Sequence, residues 1–132
     1  MACELCANLG GELIWQNDFC RVALVDDTFY PGFCRVILNR HIKEMTELDE
    51  GERSRLMAVV FAVESAVRDV LKPDKINLAS LGNVVPHLHW HVIPRFADDR
   101  HFPNPIWGEP KRDGQSHPLD RQGLIQAIRS RL

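Results

Sequence analysis

The stretch His87-Leu88-His89-Trp90-His91-Val92-Ile93-Pro94 alternates imidazoles with apolar side chains and then runs apolar to a proline. Successive side chains of an extended strand point to opposite faces, so His87, His89 and His91 line one side and Leu88, Trp90 and Val92 the other. The second side is a core face. The first is a row of imidazoles about 6–7 Å apart, which neither packing nor β-propensity requires. The extended run is predicted over residues 84–93, after the turn signal Leu81-Gly82-Asn83, with another strand over residues 75–80.

Three kinds of chemistry fit such a row: a histidine-rich solvated face, a transition-metal site or a nucleophilic site. The metal reading meets a geometric limit. His87 and His91 lie about 13 Å apart along an ideal strand, so one ion reached by short Zn–N bonds takes two of the three imidazoles plus outside ligands, not all three. The nucleophilic reading needs a neutral imidazole with a pKa of about 6.5 and a neighbour that fixes its tautomer. His89 in the middle suits attack on phosphorus. A flanking imidazole then holds a phosphate oxygen or serves the leaving group, and Gly82-Asn83 offers backbone N–H groups and an amide to the developing charge.

Upstream, residues 12–16 and 19–25 read as two short strands joined by the polar turn Asn17-Asp18. Tyr30-Pro31-Gly32 is a turn signal before a third strand over residues 33–38, which Asn39-Arg40-His41 closes. The period then changes. Asp49 with Glu52 forms a capping box, and Leu56, Val60, Val63, Val67 and Val70 recur at helical steps until Lys72-Pro73. Beyond Pro94 the chain is polar, and Pro103, Pro105, Pro110 and Pro118 break regular structure until a short helix over residues 120–131 that buries Leu124, Ile125 and Ile128.

The 132 residues are 45% hydrophobic and 26% charged, which fits one soluble globular domain over 1–132, with a core over about 1–96 and a polar loop and C-terminal helix over 97–132. A net charge of −2 gives no electrostatic footprint for duplex nucleic acid or an anionic membrane. No signal-peptide pattern and no membrane-spanning apolar run is present, so the expected location is cytoplasmic, where thiols stay reduced. Cys3-x-x-Cys6 is then a metal, redox or packing pair, while Cys20 and Cys34 sit in apolar strands as small buried hydrophobes.

The sequence His-φ-His-φ-His-φ-φ, with φ apolar, resembles the signature of the histidine triad family, and residues 87–93 match it throughout. Tyr30-Pro31-Gly32, the strand after it and Arg40-His41-Ile42 resemble that family's Pro-Gly-strand-His-Ile segment. Gly82-Asn83 resembles its turn before the triad, and Pro94-Arg95 its exit. The resemblance covers roughly residues 1–96 and is nearest in appearance to bacterial diadenosine tetraphosphate hydrolase-like members. It implies an α+β fold, an antiparallel sheet of about five strands with one long and one short helix, commonly paired as a homodimer.

The resemblance also implies chemistry: a nucleotide hydrolase or nucleotidyl transferase that cleaves at the α-phosphate through a nucleotidyl-histidine intermediate, acting on dinucleoside polyphosphates or related nucleotide conjugates. By the same resemblance His89 is the nucleophile, His91 contacts the phosphate and His87 orients the network through a hydrogen bond. Asp26 is implied at the ribose hydroxyls, or Asp27 because the segment to Pro31 is one residue short of common members, and Asn77 at phosphate or sugar. Val84 replaces a Ser or Thr that some branches use near the scissile phosphate. Cys3, Cys6, His41 and His87 match a set that holds a structural zinc in some members, the alternative being an unligated cysteine pair. No cofactor is required for the chemistry itself.

The rival from another class is a nucleotide- or metal-binding module with negligible turnover. Of the other candidates, His101 and His117 are expected as solvated surface residues and Trp90 as core. Trp107 packs on its own domain, covers the pocket or reaches a dimer partner, and Arg40 and Arg95 flank the site as phosphate ligands or ordinary surface residues.

Overall fold

A computed structural model describes residues 2–132. Five antiparallel strands, β1 (Glu12–Gln16), β2 (Cys20–Leu24), β3 (Cys34–Leu38), β4 (Lys75–Ala79) and β5 (His89–Arg95), form one sheet in the order β1-β2-β3-β5-β4. Three α-helices accompany it: α1 (Glu4–Ala7), α2 (Glu50–Leu71) and α3 (Arg121–Ser130), with a 3-10 turn at Met45–Glu47. The α+β expectation holds. The one-turn α1 is additional to the two expected helices.

Helix α2 starts where the capping box places it: Asp49 accepts from Glu52 N, and the Glu52 side chain accepts from Asp49 N. It ends at Lys72 in the left-handed region (φ 51°) before Pro73. Its stripe of Leu56, Val60, Val63 and Val67 packs on the sheet face made by Cys20, Val22, Cys34, Val36 and Val92, and Leu124 and Ile128 of α3 join the same core.

The register decides what lies on the other face. Residues directly opposite in an antiparallel pair share a face, and Arg35 is opposite His91 while Ile37 is opposite His89. That face is not open. Leu5 of α1 packs with Ala23 and Ile37 at one end, and Tyr30, Phe33, Ile93 and Ile106 cluster at the other. All three triad histidines are buried, which removes the reading of the row as a solvated face.

A second correction concerns where the strand begins. Residues 84–88 are not in β5: Pro86 has no N–H for a ladder, and His87 N bonds Val85 O in a tight turn. His87 therefore precedes the strand, although Leu88 still pairs irregularly, with Leu38 N donating to Leu88 O.

Helix α1 is too short to carry a periodic signal. Its anchor is the buried Arg21, whose guanidinium donates to Leu5 O at 2.6 Å, Asn8 O at 3.1 Å and Leu9 O at 3.1 Å. Among the described residues no helix is long and apolar enough to cross a membrane.

Candidate active site

His89 and His91 project from β5 into a pocket of about 420 Å³ that Gly82, Asn83, Arg35 and Trp107 also line. The turn that carries Gly82 needs a positive φ of 71°, which a glycine adopts without strain. Ser80, at the start of the same connection, donates to His89 O at 2.8 Å and ties the turn to β5.

The middle imidazole is held by its own backbone. His89 Nδ1 lies 2.5 Å from His87 O, and a carbonyl only accepts, so Nδ1 carries the proton. Nε2 is left with the lone pair. Burial lowers the His89 pKa; the bond to His87 O opposes that shift and the nearby Arg35 charge adds to it. His91 is held down to about 4, by burial first and then by His89 and Arg35. Both rings are neutral at pH 7. Their centroids lie 4.9 Å apart, edge to face, and His91 Nδ1 is buried with no partner among the described residues.

His87 faces elsewhere. Its Nε2 donates to Leu38 O at 2.6 Å, so Nδ1 is bare, and this nitrogen gathers with Cys3, Cys6 and His41. The four ligand atoms lie within 4.8 Å of one another. His87 Nδ1 is 3.4 Å from Cys3 Sγ, 3.5 Å from Cys6 Sγ and 3.3 Å from His41 Nδ1, and Cys6 Sγ is 3.5 Å from His41 Nδ1. A tetrahedral ion with Zn–N of about 2.05 Å and Zn–S of about 2.3 Å has edges of about 3.3 Å for N–N and 3.5 Å for N–S. Four of the six donor–donor edges therefore match a tetrahedral Cys2His2 ion, with His87 as the one triad member in the set.

Several expected site residues lie apart. Asp26 and Asp27 line a different hollow, with Gly11, Pro31 and Arg121, because the chain turns away after β2. Asn77 is on the triad side of β4, but its Oδ1 accepts from Arg95 at 2.7 Å. Arg95 is not a surface arginine: it is buried and paired with Asp99, Nε to Oδ2 at 2.8 Å, and Arg40 is paired with Glu52.

The Arg95–Asp99 pair organises the polar loop. Asp99 also accepts from the backbone N–H of Phe96, His101 and Phe102, and from Tyr30 Oη. Burial alone would raise its pKa, yet the hydrogen bonds from Arg95, Phe96 and Phe102 outweigh it and hold the carboxyl at about 2. His101 is thereby drawn inward, with Nδ1 2.7 Å from Tyr30 Oη, and His117 stacks on Phe96 and bonds Asp98, so neither is a free surface histidine. Arg95 also donates to Asn104 O. The loop so fixed brings Trp107 edge to face onto His91, with ring centroids 4.9 Å apart and half of the indole exposed.

Arg35 and Asp99 are not legible as site features in the sequence, whereas the pocket position of Trp107 is one of the alternatives it offers. The register signal was present for Arg35, since the strand after Gly32 alternates Arg35 and Ile37 with the core residues Cys34, Val36 and Leu38.

An alternating histidine strand on this sheet, with its middle imidazole held as a free base, defines a histidine triad domain. The chain belongs to the HIT domain family, whose model matches residues 8–98. It is 31% identical to an uncharacterised HIT-like protein of Saccharolobus solfataricus over 91% of this chain and 90% of that one. It superposes on the crystal structure of a histidine triad protein from Bradyrhizobium japonicum with a TM-score of 0.74 and 32% identity, covering 90% of this chain and 88% of that one. An AP-4-A phosphorylase of Mycobacterium tuberculosis is 29% identical over 61% of this chain, which spans 44% of that protein's length.

Proposed function

We propose that the protein is a nucleotide hydrolase or nucleotidyl transferase that cleaves at the α-phosphorus through a covalent adduct on His89. The observation that carries this reading is the 2.5 Å contact of His89 Nδ1 with His87 O. It leaves Nε2 unprotonated, and it stabilises the ring once that ring becomes cationic. In the first step the Nε2 lone pair forms a P–N bond, and the bond from phosphorus to the leaving-group oxygen breaks with its electron pair on that oxygen. In the second, water adds to phosphorus, the P–N pair returns to Nε2, and the nucleoside monophosphate leaves with the hydroxyl of that water, whose other proton passes to solvent. His91 contacts the phosphoryl oxygens, and Gly82-Asn83 faces the same group from the turn. Relation to an AP-4-A phosphorylase supports dinucleoside polyphosphates as the substrate class.

In this reading Cys3, Cys6, His41 and His87 hold a structural zinc, a role the tetrahedral donor spacing supports. The ion supplies rigidity and no step of the reaction. The protein pairs as a homodimer through an open sheet edge; β4 is outermost in the sheet and supports this. Asp26 and Asn77 do not line this pocket; Asn77 meets it indirectly, through its bond to Arg95.

The test is monophosphate release from a dinucleoside polyphosphate by zinc-replete protein with no free divalent metal added, wild type against His89→Ala. A loss of at least 1,000-fold in the variant is expected. Unchanged turnover in His89→Ala contradicts the assignment, and absence of turnover by wild type favours the binding module.

A further inference from the structure

We propose that Arg35 is a substrate-binding residue that holds the anionic leaving group next to the α-phosphoryl group, which makes the pocket selective for nucleoside phosphoric anhydrides. This rests on the reading of His89 as nucleophile. Arg35 is the one arginine or lysine among the described residues lining the triad pocket. Its guanidinium makes a single hydrogen bond among them, from Nη1 to Gly10 O at 2.9 Å, and Nε is buried with no partner. Arg35 is half-buried, and its one fully enclosed donor, Nε, is left unpaired; such a donor is costly unless a ligand completes it, and a guanidinium fork matches phosphate oxygens better than any other side chain.

Register places the charge. Ile37 is opposite His89 and Arg35 is opposite His91, so Arg35 stands one pleat repeat, about 6–7 Å, along the sheet from the nucleophile. This offset suits the phosphate or other anion joined to the α-phosphoryl group through the bridging oxygen, while His91 beside Arg35 stays neutral and leaves the cation unopposed by a second one. The other charged residue in the pocket is the exposed Glu4, which acts on the guanidinium through space and forms no ion pair with it among the described residues. An apolar side chain at residue 35 would leave the pocket able to bind a monophosphate and unable to favour a second anionic group.

Equilibrium titration of AMP and of a non-cleavable methylene-bridged ADP analogue tests this without any chemistry. Arg35→Met is expected to weaken the ADP analogue at least 10-fold and AMP less than 3-fold, with Arg35→Lys between, because an ammonium keeps the charge and loses the fork. With a dinucleoside polyphosphate as substrate, kcat/KM of Arg35→Met falls 10- to 100-fold. Equal weakening of both nucleotides, no weakening of either, or a wild type that binds neither overturns the assignment of Arg35. Failure of the nucleophile reading is distinct: His89→Ala would then keep turnover while the binding preference conferred by Arg35 persists. If Arg35→Met does not fold, Arg35→Lys and Arg35→Gln carry the same comparison.

Discussion

Replacing Asp99 by alanine removes the acceptor of six hydrogen bonds: two from Arg95, three from the backbone of Phe96, His101 and Phe102, and one from Tyr30. Arg95 remains buried, now with an unpaired charge. Truncating one partner of such a buried pair costs about 3–5 kcal/mol, a large part of a total of about 5–15 kcal/mol. For a chain of this length that lowers Tm by roughly 10–20 °C. The assay is urea unfolding followed by tryptophan fluorescence, with a thermal melt beside it. The double variant Asp99→Ala/Arg95→Met removes the stranded charge and is expected to recover part of the loss. The pH dependence has a fixed sign. Asp99 titrates at about 2 when folded and near 3.8 when unfolded, so its stabilisation is present above about pH 4 and is lost as pH falls towards 2. Asp99→Ala lacks that loss. A destabilisation below about 1 kcal/mol, as for an ordinary surface substitution, would refute the claim that this pair fixes the loop.

Removing the metal set acts on the nucleophile through His87, which offers Nδ1 to the Cys2His2 group and its carbonyl to His89. Purified wild type is expected to carry one equivalent of zinc and Cys3→Ser less than a tenth of that, with Tm lower by 10 °C or more; elemental analysis and a melt check both. The acid limb of kcat/KM is expected to inflect below pH 6.5, because burial lowers the His89 pKa and attack needs the free base; an inflection at or above 6.5 contradicts the buried neutral nucleophile. Folding stability is expected to decline from pH 6.5 to about 4, since the unfolded chain protonates at residue 91 before the folded one does, and His91→Gln flattens that segment of a stability-against-pH curve.

Much of the scaffold was legible from local chemistry. The Asp49–Glu52 capping box set the start of α2, Lys72-Pro73 set its end, and the alternation of β5 marked both its core face and its imidazole face. What was hidden depended on contacts distant in sequence. Helix α1 exists because Arg21 binds its carbonyls, and a single turn has no periodicity to detect. His87 leaves the strand because Pro86 cannot join the ladder, and it thereby reaches Cys3, Cys6 and His41. Asp99 and Arg95, four residues apart, look like ordinary polar loop residues until the fold buries them together beneath Tyr30. Trp107 meets His91 only because that pair directs the loop back over the sheet.

The central claim is a covalent nucleotide on one imidazole, and intact-protein mass spectrometry of a reaction quenched into alkali within milliseconds tests it most directly. With a dinucleoside polyphosphate as substrate, the account predicts an added nucleoside monophosphate unit, stable in base and labile in acid, that peptide mapping assigns to His89 and that His89→Ala lacks. Turnover at an undiminished rate with no adduct, or an adduct assigned to a residue other than His89, would contradict it.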